Sequence, residues 1–156
     1  MVGYSIRVSI DTKELRKNLD TFSKKLDDLS PFWESFTPVV QNLFRDVFIN
    51  EGNVPGFSKW AALSPLYSAW KSANYPGQTI LRLTDRLYNE TVNNPIVTIS
   101  PNEMTYGTNV PYAQYLEEGT SKMPPRPLFG AVEAYAPAIL QAEILEYLRK
   151  DLWKDL

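Results

Sequence analysis

The 156-residue chain contains neither cysteine nor histidine. Without cysteine, disulfides and thiolate metal sites are excluded, and a reducing compartment is permitted. Without histidine, the commonest general base and the commonest metal ligand are missing. An ordinary Ser-His-Asp triad cannot be built, and the chain has no Gly-x-Ser-x-Gly turn. These absences favour a protein that is not an enzyme, and no motif predicts a cofactor or a metal.

The chain also lacks an excess of positive charge and any long apolar run. Its net charge is −2 and its sequence pI is about 5.2, whereas proteins that bind DNA sequence-specifically are usually basic. No segment approaches the roughly 20 apolar residues needed to span a bilayer. The first residues show no basic start followed by an apolar run, as a signal peptide would. We therefore expect no membrane partner.

The remaining composition is that of a globular domain. The chain is 44% apolar, 22% charged and 13% aromatic, which argues against disorder. A domain of this size buries roughly 68–70% of its unfolded surface, so a substantial core is feasible. Because we find no internal repeat and no linker, we predict a single domain over residues 1–156.

The N-terminal third, residues 4–50, predicts one strand and two helices. Alternating apolar residues predict a half-buried strand over 4–10. A core-facing amphipathic helix of about 18 residues follows. Its apolar face carries Leu15, Leu19, Phe22, Leu26 and Leu29. Ser30 is expected to cap a central second helix, which Pro38 either kinks or interrupts, with Thr37 capping a new start.

The middle of the chain predicts two more helices and a hairpin. Ser64-Pro65 starts a third helix, and Thr84 is expected to cap a short helix that ends near Thr91. The β-prone segments 96–100 and 103–107 predict an antiparallel hairpin.

The last third combines short and long helical segments with a loop. Tyr112 to Leu116 predicts one or two helical turns ending at Gly119. Residues 119–127 form a loop with three prolines, here called the proline-rich loop. A C-terminal helix follows over about 131–152, and Pro137 should kink or delay it. The predicted fold is therefore α+β, a small antiparallel sheet packed against several helices.

Two motifs that invite a catalytic or nucleotide-binding interpretation do not support one. Gly119-Thr120-Ser121-Lys122 lacks the first glycine and the Gly-Lys-Ser/Thr ending of a phosphate-binding loop. The adjacent carboxylates Asp27-Asp28 and Glu117-Glu118 would point about 100° apart on a helix, so neither pair presents two carboxylates to one substrate.

Several short elements occur in a characteristic order within residues 57–130. They are Trp60 followed by Leu63-Ser64, a helix with Tyr67 and Lys71, Ile80-Leu81-Arg82-x-Thr84-x-x-Leu87, a hairpin, Tyr112-Ala113, Glu117-x-Gly119-Thr120 and Pro125-Arg126-Pro127. In this order and spacing they resemble the tailed-phage virion morphogenesis and tail-completion proteins. These are the Mu-like tail-completion family and the related minor tail-component family of long-tailed phages.

The chain departs from the family pattern at three places. Asp85 stands where the family usually has glycine, in Thr-Gly-x-Leu. Glu117 stands where one branch carries histidine, which is similar to the minor tail-component branch. The family's Pro-Arg-Pro-Phe-Leu occurs with its two apolar residues exchanged, as Leu128-Phe129.

The resemblance implies a structural virion protein of the head–tail junction, assembled in the cytoplasm of a bacterial host. Such proteins act as rings, usually hexameric, through which DNA passes without specific binding. The implied partners are further copies of the chain, the tail-tube or tail-terminator protein, and the head-completion or connector protein. A tail-tube terminator or neck adaptor is the nearest alternative. A peptide- or ligand-binding module that uses the aromatic residues is an alternative from another class.

We place the subunit or partner interface on the proline-rich loop and the helical turns before it. The candidate residues are Tyr112, Tyr115, Glu117, Glu118, Lys122, Arg126 and Pro127. The prolines would lower the entropy lost on assembly, and Arg126 would contact a carboxylate through two hydrogen bonds. Glu117 and Glu118 are the candidate acceptors, in the same subunit or the next.

Aromatic residues can fill a core or anchor an interface. We expect Trp60, Tyr67 and Trp70 to lie in the core. For Tyr112 and Tyr115, core and interface remain equally open.

Overall fold

The computed structural model describes residues 13–152, and the predicted strand over 4–10 lies outside them. Within this range the fold is α+β, as predicted, with six α-helices and a two-stranded antiparallel sheet. The elements are α1 (Lys13–Asp27), α2 (Ser30–Ile49), α3 (Pro65–Asn74), α4 (Arg86–Tyr88), β1 (Ile96–Ser100), β2 (Glu103–Gly107), α5 (Ala113–Glu118) and α6 (Phe129–Leu152). A π-helical turn, Asn89–Asn93, continues α4.

Helix α2 is the centre of the fold and packs against α6 and the hairpin. Its buried side recurs at helical spacing and carries Phe32, Phe36, Val40, Leu43, Phe44, Val47 and Phe48. Phe44 stacks on Tyr106 of β2 with ring centroids 5.0 Å apart and meets Phe129 of α6 edge-on at 4.9 Å. Burying each such side chain contributes about 1.5–3 kcal/mol, so α2 organises the core.

The start and the interior of α2 differ from the prediction. Leu29, not Ser30, occupies the cap position, and the Ser30 N–H donates to a carboxylate oxygen of Asp28 at 2.9 Å. The helix runs on through Pro38. Thr37 caps no new start, because its hydroxyl donates to the Trp33 carbonyl one turn back, at 3.0 Å.

The hairpin is confirmed with its predicted bounds, and Ser100 pairs with Glu103 across the turn. The carbonyl of Pro101 in this turn accepts a hydrogen bond from the Leu29 N–H at 2.9 Å. The Tyr106 hydroxyl donates to the Thr91 carbonyl at 2.5 Å, and its burial raises the pKa of the phenol above its ordinary value. The hairpin is thereby attached both to the start of α2 and to the π-helical turn.

Three other helix predictions need correction. Helix α1 exists, but its Leu19 and Leu26 are exposed rather than facing the core. The short helix begins after Asp85, not Thr84, because Asp85 adopts the left-handed conformation at φ +58°. Helix α6 begins at Phe129, earlier than predicted, and continues through Pro137. The predicted starts of α3 at Ser64-Pro65 and end of α5 at Gly119 are confirmed.

Candidate functional site

A cleft of about 710 Å³ lies among α3, the segment 81–87, α5 and the proline-rich loop. Its wall includes Tyr67 and Lys71 from α3, Arg82 and Arg86 from the 81–87 segment, Tyr112 beside α5, and Lys122 from the loop. This volume falls within the range of about 300–1,000 Å³ typical of ligand sites. Parts of several resemblance motifs therefore line one concave surface, whereas the hairpin and Trp60 do not.

Arg126 attaches the end of the proline-rich loop to the segment before α3. Its Nε donates to the Ala61 carbonyl at 2.8 Å and its Nη2 to the Ala62 carbonyl at 2.9 Å. The side chain is only 5% exposed, and burial lowers the pKa of its guanidinium. Arg126 forms no ion pair with a described residue. The predicted pairing with Glu117 or Glu118 inside the subunit is therefore wrong, because its bound partners there are two carbonyls. Pairing with a carboxylate of the next subunit stays a prediction.

Glu117 caps the start of α6 from a distance in sequence. Its Oε1 accepts the N–H groups of Leu128 at 2.6 Å and Phe129 at 2.8 Å, and its Oε2 lies 3.2 Å from the Gly130 N–H. The first N–H groups of a helix have no partner within the helix, and a negative charge there is favourable. Glu117 is therefore engaged inside the subunit, which replaces its predicted role as an acceptor for Arg126.

Trp60, like Arg126, connects the segment before α3 to the proline-rich loop. Its indole N–H donates to the Pro127 carbonyl at 2.8 Å, and its ring lies in the core against Phe48. A Cβ added to Gly52 would lie 2.7 Å from the Trp60 ring, so glycine is needed beneath it. Pro127 is thus half-buried and serves as a fixed point of the loop.

The exposed part of the loop begins at a turn that only glycine fits. Gly119 has φ +75°, and a Cβ there would lie 2.7 Å from the Pro125 nitrogen. The next four residues close a tight turn, in which the Thr120 N–H donates to the Met123 carbonyl at 2.8 Å. Between these fixed ends, Ser121, Lys122 and two prolines are exposed.

Asp85 and Arg82 hold the opposite part of the cleft wall. Arg82 donates from Nε and Nη2 to the two carboxylate oxygens of Asp85, at 2.8 and 2.9 Å, and lies over the Tyr88 ring at 4.3 Å. The Arg82 guanidinium holds the pKa of Asp85 below its ordinary value, and the Asp85 carboxylate raises the pKa of Arg82. Asp85 stands where the resembled family has glycine. Its backbone has a positive φ, which glycine adopts freely and which aspartate tolerates better than most other residues.

Lys71 is the buried amine of the site. It is 4% exposed and donates to the Thr79 carbonyl. Burial lowers the pKa of Lys71, against the opposing effect of Glu51 and Asp85. Burial would raise the pKa of Glu51, but hydrogen bonds from the Ile80 N–H and Lys59 outweigh it and lower that pKa.

Helix α3 presents aromatic side chains outward. Tyr67 and Trp70 are 41% and 46% exposed and stack with ring centroids 5.5 Å apart, and Leu66 beside them is 87% exposed. Only Trp60 of the three aromatics expected in the core is buried. The prediction fails for Tyr67 and Trp70 because α3 packs few side chains inward, Lys71 being its one buried residue.

The predicted interface residues thus divide into three groups. Tyr112, Lys122 and Arg126 line the cleft, whereas Tyr115 and Glu118 are exposed outside it. Glu117 and Pro127 are bound to other parts of the subunit. The sequence interpretation missed the ion pair of Arg82 and Asp85, because both lie in the turn before α4, where no helical spacing signals it.

Within residues 13–152, no group of His, Cys, Asp and Glu could hold a metal ion. In the same range, no helix is both long and apolar enough to cross a membrane.

No family model, curated protein or solved structure matches the chain.

Proposed function

We propose that this protein is a non-enzymatic virion component that completes a phage tail and joins it to the head. It would act as an oligomeric ring, hexameric in the virion, around the DNA channel. Its partners would be further copies of itself, the tail-tube or tail-terminator protein, and the head-completion or connector protein. DNA would pass through without specific binding, in keeping with the chain's net charge of −2.

The observation that carries this proposal is the arrangement of the residues on which the family resemblance rests. Trp60, Glu117 and Arg126 each connect segments distant in sequence, through the bonds to Pro127, the α6 start and Ala61-Ala62. These bonds connect them into one unit within the subunit. An ordered motif set that builds one unit is expected if the motifs belong to a single inherited domain.

The surface of this unit supports a role in assembly. Leu66, Tyr67, Trp70, Tyr112 and Tyr115 are exposed large apolar or aromatic side chains on or beside α3 and α5. Exposed aromatic clusters commonly mark protein–protein interfaces, and a ring needs one such surface to meet a different surface of the next subunit. The proline-rich loop, fixed at both ends, would add little entropy loss on contact.

Two alternatives keep specific support. A tail-tube terminator or neck adaptor would use the same surfaces at a neighbouring position, and locating the protein in a virion map distinguishes it. A peptide- or ligand-binding module is favoured by the cleft of about 710 Å³. A chain that stays monomeric at high concentration and also in the presence of tail tubes would favour that module.

Deleting the gene from the phage that encodes this protein tests the proposal. We expect filled heads together with unattached or overlong tails, restored to joined particles by the wild-type gene supplied in trans. Electron microscopy and plaque counts provide the measurement. Normal virions at full yield from the deletion strain would refute the proposal.

A further inference from the structure

We propose that the cleft is a docking site for an acidic segment of a partner protein. In this segment one apolar residue is flanked by Asp or Glu. The inference deepens the proposed function. It rests on that function only in assuming that the partner is another component of the virion assembly. Its basis is the charge and shape of the cleft.

The charged residues of the cleft wall are strongly asymmetric in sign. Five are cationic and one is a carboxylate. They are Lys71, Arg82, Arg86, Lys122, Arg126 and Asp85. This local excess of positive charge occurs in a chain whose net charge is −2, so it is not a consequence of overall composition. Complementary charge steers a partner to a site and selects against partners of the same sign.

Two of the five cations are available to a ligand. Arg82 is bound to Asp85, Arg126 to two carbonyls, and Lys71 to the Thr79 carbonyl. The side chains of Arg86 on α4 and Lys122 on the proline-rich loop are exposed and make no hydrogen bond or ion pair with any residue in the described range. Because they stand on two different walls, carboxylates on both sides of a bound apolar side chain would each find a cation.

The cleft also offers apolar surface for one side chain. Leu63, Leu81, Leu83, Leu116 and Met123 line it and are half-buried. A leucine or aromatic side chain seated among them would cover surface that the subunit itself leaves in contact with water. Methionine adapts to side chains of different shape, which suits a site for a peptide.

The adjacent carboxylate pairs within the described residues are poor candidates for the occupant. Of the two adjacent carboxylate pairs, Asp28 binds the Ser30 N–H and Glu117 binds the start of α6. Both pairs are at the ends of helices of the folded subunit. Nucleic acid is disfavoured as well, because a phosphate backbone needs several free cations along it, whereas this concave, partly apolar cleft offers two, Arg86 and Lys122.

An array of fluorescein-labelled hexapeptides tests the inference with the full-length protein. Each member has one Leu, Met, Phe or Trp between Asp or Glu residues, and each has a counterpart with Asn or Gln in place of the acids. In fluorescence anisotropy, we expect members of the acidic set to bind at least about tenfold more tightly than their uncharged counterparts. Equal binding of both sets, or binding of neither, would overturn the inference.

A charge-reversal pair locates the binding. Arg86→Glu/Lys122→Glu should weaken binding of the acidic peptides about tenfold and permit binding of Lys-flanked versions. Arg16→Glu/Arg149→Glu is the matched control, because both side chains are exposed and neither lines the cleft. Thermal melts establish that both variants are folded. Equal losses in the two variants, or preferential binding of a single-stranded oligonucleotide at the cleft, would contradict the proposal.

The two proposals can fail separately. If the peptides fail to bind while the gene deletion still gives unattached tails, the docking inference is wrong and the proposed function stands. If the peptides bind at Arg86 and Lys122 while the deletion leaves normal virions, the cleft is a docking site in a protein of another function.

Discussion

At the scale of single residues, three charged side chains singled out by the sequence or the site hold the subunit together. Arg126 and Glu117, which the sequence suggests as contacts to a neighbour, bind backbone groups of their own chain. Asp85 combines a left-handed backbone with a two-point contact to Arg82. The exposed neighbours Glu118 and Lys122 stay candidates for contact with a partner.

Glu117→Gln should destabilise the protein by about 1–2 kcal/mol, because the amide loses the charge that favours the helix start and one of its acceptor oxygens. Urea unfolding at pH 7 measures the change in the free energy of unfolding. Glu118→Gln is the control, since this exposed side chain contacts only the Gln114 amide, at 3.3 Å. Equal effects of the two substitutions would refute the capping role.

Asp85 should give a pH-dependent contribution to stability. The pKa of its carboxyl is lower in the folded state than its ordinary value of 3.8. The contribution is therefore complete above about pH 5 and is lost as the pH falls below 3.8 towards the lowered pKa. At neutral pH the unfolding free energy of the wild type should be about 0.5–1 kcal/mol higher than that of Asp85→Asn, a difference typical of partly exposed ion pairs.

Unfolding free energies of both proteins from pH 7 to pH 2 test this prediction. Asparagine also tolerates positive φ, so the substitution removes the charge without adding backbone strain. A difference between the two proteins that stays constant down to pH 2 would mean that the carboxylate contributes nothing through its charge.

At the scale of elements, the proline-rich loop is a fixed structure between α5 and α6. Gly119 sets its first turn, the Thr120–Met123 turn closes its tip, and Arg126 binds its end. The prediction of a loop here is confirmed. Its proposed role in assembly remains a prediction, now confined to residues 120–125, all of which are exposed except the half-buried Met123.

Gly119→Ala should cost about 2–4 kcal/mol, because the new Cβ adds a clash with Pro125 to the strain of a positive φ. Gly77→Ala is the matched control. Its φ is +82°, but a Cβ there meets nothing within 4 Å. Its cost should be about 1 kcal/mol, from backbone strain alone. Similar melting temperatures for the two variants would show that the loop moves away without cost.

At the scale of the whole molecule, aromatic residues divide between a core around α2 and an outward surface around α3. Trp60 belongs to the first and Trp70 to the second, although only ten residues separate them. This division is what the proposed function requires of a subunit that is stable alone and also presents a surface for assembly.

Trp60→Ser should destabilise the subunit by about 3–5 kcal/mol, whereas Trp70→Ser, which removes ring contacts with Tyr67 and Tyr75, should cost about 1 kcal/mol. If the α3 surface is an interface, Trp70→Ser should nevertheless abolish complementation of the deletion phage. Chemical denaturation and plaque counts give the two measurements. Full complementation by Trp70→Ser would remove this surface from the proposed interface.

The sequence by itself determined the features that depend on local chemistry. The sequence predicted the start of α3 at Ser64-Pro65, the end of α5 at Gly119 and the hairpin over 96–107. Helix caps, positive φ and hairpin turns depend on a few adjacent residues, so the sequence alone indicates them. The same is true of the buried side of α2, which follows from helical spacing.

Only the tertiary structure decided which polar groups are used internally and which aromatic residues stay outside. Glu117 finds its partners 11 to 13 residues away, and Arg126 finds its carbonyls 64 and 65 residues away. No periodicity signals such contacts, because they depend on how distant segments approach each other. For the same reason, the amphipathic face of α1 predicted burial for Leu19 and Leu26, which the packing of the described residues leaves exposed.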